Sequence, residues 1–137
     1  VASIVGLGVA AEHARADLER GATELRALGA ALWRRLSAAL PGLAINGPQT
    51  GRLPNTLNLR FPGVNGAALL AAAPEIAAST GAACHDGRAA SEAILALGVP
   101  PDQARGSIRL SWGRGTSREE IERAADALIR AWRSLDP

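Results

Sequence analysis

Residues 107–112 read SIRLSW and residues 56–61 read TLNLRF, and both alternate strictly. In the first, Ile108, Leu110 and Trp112 fall on one side, with Ser107, Arg109 and Ser111 on the other. In the second, Leu57, Leu59 and Phe61 oppose Thr56, Asn58 and Arg60. A period of two is the mark of a strand with one face on a core and the other on solvent. Pro62-Gly63 stops the TLNLRF stretch, and a shorter extended piece, Leu43 to Asn46, precedes it across the turn-rich GPQTGRLP.

Outside these strands the pattern turns helical. Periodicity runs from the opening VASIVGLGVA through Leu18 and loosens at Gly21. It resumes as Leu25, Leu28, Leu32, Leu36 and Leu40, three or four residues apart, and Pro41-Gly42 ends it. Val1 opens inside this pattern with no capping residue ahead, which is expected of a piece cut from something longer. At the other end, Thr116-Ser117-Arg118-Glu119 forms a capping-box signature ahead of an apolar face of Ile121, Ala125, Leu128 and Trp132.

Between the strands, Asn65 is placed to cap a short helix ending before Pro74. Ile76 to Ser79 is expected to be a brief strand, and Thr80 to Ala90 a loop. Ser91 caps a helix through Leu97, with Gly98 as its stop. This order predicts an α+β fold in one small domain, residues 1–137, with a small antiparallel sheet and helices packed on one face. The other face is left free, and Arg109 projects from it.

Composition narrows the function. At 137 residues the chain can build one ordinary core, thin in aromatics, with three tryptophans and one phenylalanine. Trp33, Trp112 and Trp132 are expected as core or interface anchors. Net charge is +2, and acidic residues interleave with the arginines, which argues against nucleic-acid binding. No apolar run approaches the roughly 20 residues of a membrane span. A single cysteine makes no internal disulfide, and a reducing cytoplasm is the expected compartment.

All fifteen basic residues are arginine, so no residue of this chain can hold a carbonyl cofactor or substrate as a Schiff base. The one cysteine, Cys84, closes the small-residue run ASTGAAC and precedes His85-Asp86-Gly87. A thiol in a glycine-bearing loop is accessible, and a nearby cation would raise its thiolate fraction. A lone cysteine is more often a buried small hydrophobe, but the polar, glycine-flanked context weighs against that here.

Arg109, in mid-strand, must reach solvent or meet an anion, and its planar fork suits a carboxylate. An ordinary surface arginine is the plain alternative. His85 is a candidate loop contributor beside Cys84, although neighbouring side chains in an extended loop point apart. His13, His85 and Cys84 have no metal-ligand spacing, so no metal is expected. Asp86 and Arg88 are most simply loop solvation, and Asn55 and Asn58 are expected to make structural hydrogen bonds.

Four blocks together resemble the C-terminal small domain of pyridoxal-phosphate-dependent cysteine desulfurases and selenocysteine lyases, in the class V branch of the aminotransferase fold. They are VASIVGLGVA, LPNTLNLRFPGVNG, STGAACHDG and GSIRLSWGRGTSREEIE, and with the helices between them they cover essentially the whole chain. The resemblance implies that Cys84 is the catalytic, persulfide-forming cysteine and that Arg109 grips the α-carboxylate of L-cysteine or L-selenocysteine. Alanine is then the other product.

The resemblance also implies pyridoxal 5'-phosphate in the intact protein, bound by a large domain that is the natural partner of this chain. It further implies a homodimer and a possible sulfur-acceptor protein. The chain alone is expected to bind no cofactor and to be inactive. The form ACH at 83–85 leans toward the selenocysteine-lyase-like members. The stretch from Cys84 to Ser91 looks slightly short, and Ala90 stands where the family usually has proline. Other class V chemistry, or a free-standing sulfur-carrying module, is the alternative.

Overall fold

The computed structural model describes residues 1–81 and 91–137. In chain order these form α1 (Ala2–Ala16), α2 (Leu18–Ala39), β1 (Ala44–Ile45), β2 (Thr56–Arg60) and α3 (Gly66–Ala71). Then follow α4 (Glu92–Ala96), α5 (Pro101–Ala104), β3 (Ser107–Ser111) and α6 (Arg118–Ser134). The strands make one antiparallel sheet in the order β1-β2-β3, and helices lie on its apolar face, as the alternation requires.

The two alternating stretches set the core. Leu57, Leu59 and Phe61 from one, and Ile108, Leu110 and Trp112 from the other, are all buried. They meet Leu32, Leu36 and Leu40 of the α2 stripe and Ile121, Ala125 and Leu128 of α6. Leu25 and Leu28 extend the stripe half-buried at its edge. Trp112 is pinned by its indole N–H donating to the Leu25 carbonyl at 2.9 Å. Trp132 does the same to Pro62 across the other end of the sheet, also at 2.9 Å.

A glycine in the middle of α2 is intelligible from this packing. A Cβ on Gly29 would lie 2.6 Å from Trp112 Cζ2, so only glycine lets the indole sit against the helix. The helix-propensity loss, about 1 kcal/mol relative to alanine, is the cost of that close approach.

Three expectations are corrected. The break in the first helical stretch falls at Asp17 (φ −111°, ψ 5°), not at Gly21, which is buried within α2 and donates its N–H to Asp17. The Asp17 carboxylate caps nothing and instead pairs with Arg20 and, at 3.4 Å, with Arg114 beyond β3. Those two cations draw the side chain out of capping position.

Ile76 to Ser79 is no strand. Only Ser79 bridges to the outer edge of β3, at Arg109, before its hydroxyl turns the chain by bonding the Gly81 carbonyl. The capping box of α6 lies one residue further on, at Ser117 and Glu120. Thr116 spends its hydroxyl accepting the Gly113 N–H in the preceding turn. The Asn65 cap and the Gly98 stop (φ +80°) stand as expected.

Candidate functional site

The free face of the sheet is where the polar positions of both stretches converge. Antiparallel register sets Thr56 opposite Ser111, Asn58 opposite Arg109 and Arg60 opposite Ser107. Opposed side chains on one face stand roughly 5 Å apart at Cβ. From β1 the chain runs on to Asn46, whose backbone N–H bonds the Asn58 carbonyl at 2.9 Å. The face therefore presents two guanidiniums, amides and hydroxyls. Among the described residues none of these strand positions is a carboxylate.

Arg109 occupies the middle of β3 and is exposed. Its backbone N–H and C=O are both held by a mutual pair with Ser79 (N–H to O, 2.6 and 3.3 Å), and Asn58 stands opposite it in the β2 register. The root of the side chain is thus fixed, and its head is exposed. Among the described residues no carboxylate forms an ion pair with it, a condition it shares with Arg60 on the same face. A guanidinium left without a counter-charge on a donor-rich face is a ready receptor for a planar anion.

The same Ser79 anchor fixes where the next segment departs. Ser79 Oγ donates to Gly81 O at 2.7 Å and accepts from Gly81 N at 3.3 Å, so the chain leaves the described part beside Arg109. Cys84 and His85, with Asp86 and Arg88, lie outside the described residues. Among the described residues no cluster of His, Cys, Asp or Glu could hold a metal ion.

Sequence reasoning passed over two residues of this face, Asn46 and Arg60. Arg60 Nη1 donates to Asn46 Oδ1 at 3.0 Å, and Asn46 Nδ2 donates to both Asn58 Oδ1 and Ser107 Oγ at 2.8 Å. Arg60 shares the alternating polar side with Asn58, which was a signal. The part played by Asn46 needs the β1–β2 register, which the sequence does not state. The expected structural role of Asn55 is seen directly: its Nδ2 bonds the Trp112 carbonyl at 3.1 Å.

Comparison with known proteins places the chain in a family. The family model described as aminotransferase class-V matches residues 1–124, and the chain belongs to that family. A cysteine desulfurase from Frankia sp. (strain EuIK1) is 44% identical over 133 residues, covering 95% of this chain and 32% of that protein. Cysteine desulfurase NifS of Azotobacter vinelandii is 41% identical over 125 residues, covering 89% of this chain and 31% of that protein.

Among solved structures, the NifS-like protein from Rickettsia africae ESF-5 superposes with a TM-score of 0.80 at 23% identity. It matches 95% of this chain and 34% of that one, and so shares the fold. The chain thus spans about a third of the length of the curated relatives it matches. Among the described residues no helix is long and apolar enough to cross a membrane.

Proposed function

We propose that this chain is the small C-terminal domain of a cysteine desulfurase. In this reading Arg109 grips the α-carboxylate of L-cysteine, and Cys84 takes up the substrate's sulfur as a persulfide while alanine leaves. One observation carries the reading: Arg109 has a fixed backbone, no carboxylate partner among the described residues, and the Ser79–Gly81 turn beside it. Cys84 follows Gly81 by three residues, a reach of at most roughly 11 Å. Similarity to proteins named cysteine desulfurase supports the substrate.

The transfer balances without an outside oxidant or reductant. The substrate's Cβ–S bond breaks and an S–S bond forms at Cys84. Cβ is reduced to a methyl group as the two sulfurs become a persulfide. Making the Cβ–S bond labile is the task of pyridoxal phosphate, and the residues present do not fit a covalent site for it, since none is lysine. In this reading the cofactor rests on a larger domain of the intact protein, a cytoplasmic homodimer, and this chain alone binds none and turns over nothing. His85 is a loop contributor beside the thiol.

The reading is tested in the full-length protein. Cys84→Ser should abolish alanine formation from L-cysteine while the cofactor's absorption stays unchanged. Undiminished turnover in that variant would remove Cys84 from the chemistry. Selenocysteine is the second candidate substrate, on the sequence ACH at 83–85. Faster selenide release from selenocysteine than sulfide release from cysteine by the unmodified full-length protein would favour it.

A further inference from the structure

We infer that Asn58 is a second hydrogen-bond donor to the anion held by Arg109, aimed there by a relay that starts at Arg60. The inference rests on the reading of Arg109 given above and deepens it.

The direction of the relay follows from donor chemistry alone. A guanidinium has no acceptor, so the group facing Arg60 Nη1 must be the Asn46 oxygen. The Asn46 amide nitrogen is then turned the other way, toward Ser107 Oγ and the side chain of Asn58. Asn58 must meet that nitrogen with its own oxygen. Its NH₂ group is therefore left on the side away from Asn46. Among the described residues that NH₂ has no partner, and the residue opposite Asn58 in register is Arg109.

Each link also strengthens the next. The Arg60 charge polarises the Asn46 amide, which polarises that of Asn58, so the last N–H is a better donor than an isolated amide. The network is half-buried and Ser107 is only 2% exposed, which holds the relay in one geometry. Arg109 directly, and Arg60 through two amides, thus act from opposed strand positions on one face of the sheet. A carboxylate seated on the Arg109 fork would take its third hydrogen bond from Asn58. Asn58 is then a substrate-binding residue, with Asn46 and Arg60 as positioning residues.

The test compares two inhibitors competing with L-cysteine in the full-length protein: L-alanine, and L-alaninamide, which lacks the carboxylate. Their ratio of inhibition constants measures carboxylate recognition. Asn58→Ala removes the donor without placing a charge opposite Arg109. It should cut the preference for alanine by about tenfold or more, the size of one charge-assisted hydrogen bond.

Asn46→Ala should cut the preference by a smaller factor, and a purely structural Asn58 would shift both inhibitors equally. Where Asn58→Ala lowers the melting temperature, Asn58→Val carries the same comparison on a residue that suits a strand. Arg109→Lys separates the two failures. If it collapses the preference and a folded Asn58 variant does not change it, the Asn58 inference is wrong and the Arg109 reading stands. If Arg109→Lys leaves the preference intact, the reading itself fails.

Discussion

Helix α6 buries Ile121, Ala125, Leu128 and Ile129 along one side, whereas α1, carrying Ile4, Val5, Leu7 and Val9, buries nothing. The difference lies in arrangement more than in apolar content. In α6 the key positions recur at intervals of four and three, and so form one stripe over the sheet. In α1, positions 4, 5, 7 and 9, at roughly 100° per residue, spread over about 200° of the helix circumference. In α6 the apolar side chains are buried in the core, whereas in α1 they are exposed.

Removing core contact breaks the comparison most sharply. Leu128 is fully buried, and Leu128→Ala should destabilise the protein by about 2–5 kcal/mol, combining lost transfer energy with a cavity. Ile4→Ala, at a site 75% exposed, should change stability by less than about 0.5 kcal/mol. Denaturant unfolding measures both. A similar loss at the two positions would mean that α1 packs onto the core after all.

The ends of the two helices differ in the same direction. Ser117 accepts the Glu120 N–H at 3.1 Å and Glu120 accepts the Ser117 N–H at 2.7 Å, while Val1 makes no side-chain cap. Ser117→Ala should cost about 1 kcal/mol by the same unfolding measurement. The Ser117 backbone N–H, and then its hydroxyl, hold the Glu120 carboxyl below its ordinary 4.5. A depressed folded-state value means the cap's contribution is complete above pH 4.5 and fades as pH falls through the lower folded value. Glu120→Gln should remove that part of the acid dependence, and an unaltered acid limb in the variant would show that the cap does not titrate.

How much of this was legible in advance depends on the range of the interaction. Leu57, Leu59, Phe61, Ile108, Leu110 and Trp112 declared their face by alternation, because a period of two is local. The α6 cap was ambiguous by one residue, because Thr116 with Glu119 and Ser117 with Glu120 satisfy the same spacing and only the Gly113 turn decides between them. Pro101 takes the first position of α5, where its missing N–H costs nothing. Arg109 could be placed on the free face from sequence. The Arg60–Asn46–Asn58 relay could not, since it depends on the register of three strands.

The smallest effect on folding, and the most telling about α1, comes from its surface. Ile4 and Val5 are 75% and 61% exposed, and replacing both by glutamate should leave unfolding unchanged within about 0.5 kcal/mol. It should change association instead. With Val1, Leu7 and Val9 also exposed, α1 offers apolar surface that water penalises and a second molecule can cover. Light scattering of the unmodified chain should therefore show a mass that rises with concentration, and the double variant should stay monomeric over the same range. A strictly monomeric parent chain at high concentration would mean that this surface is tolerated in water, and the contrast between α1 and α6 would then reduce to helix stability alone.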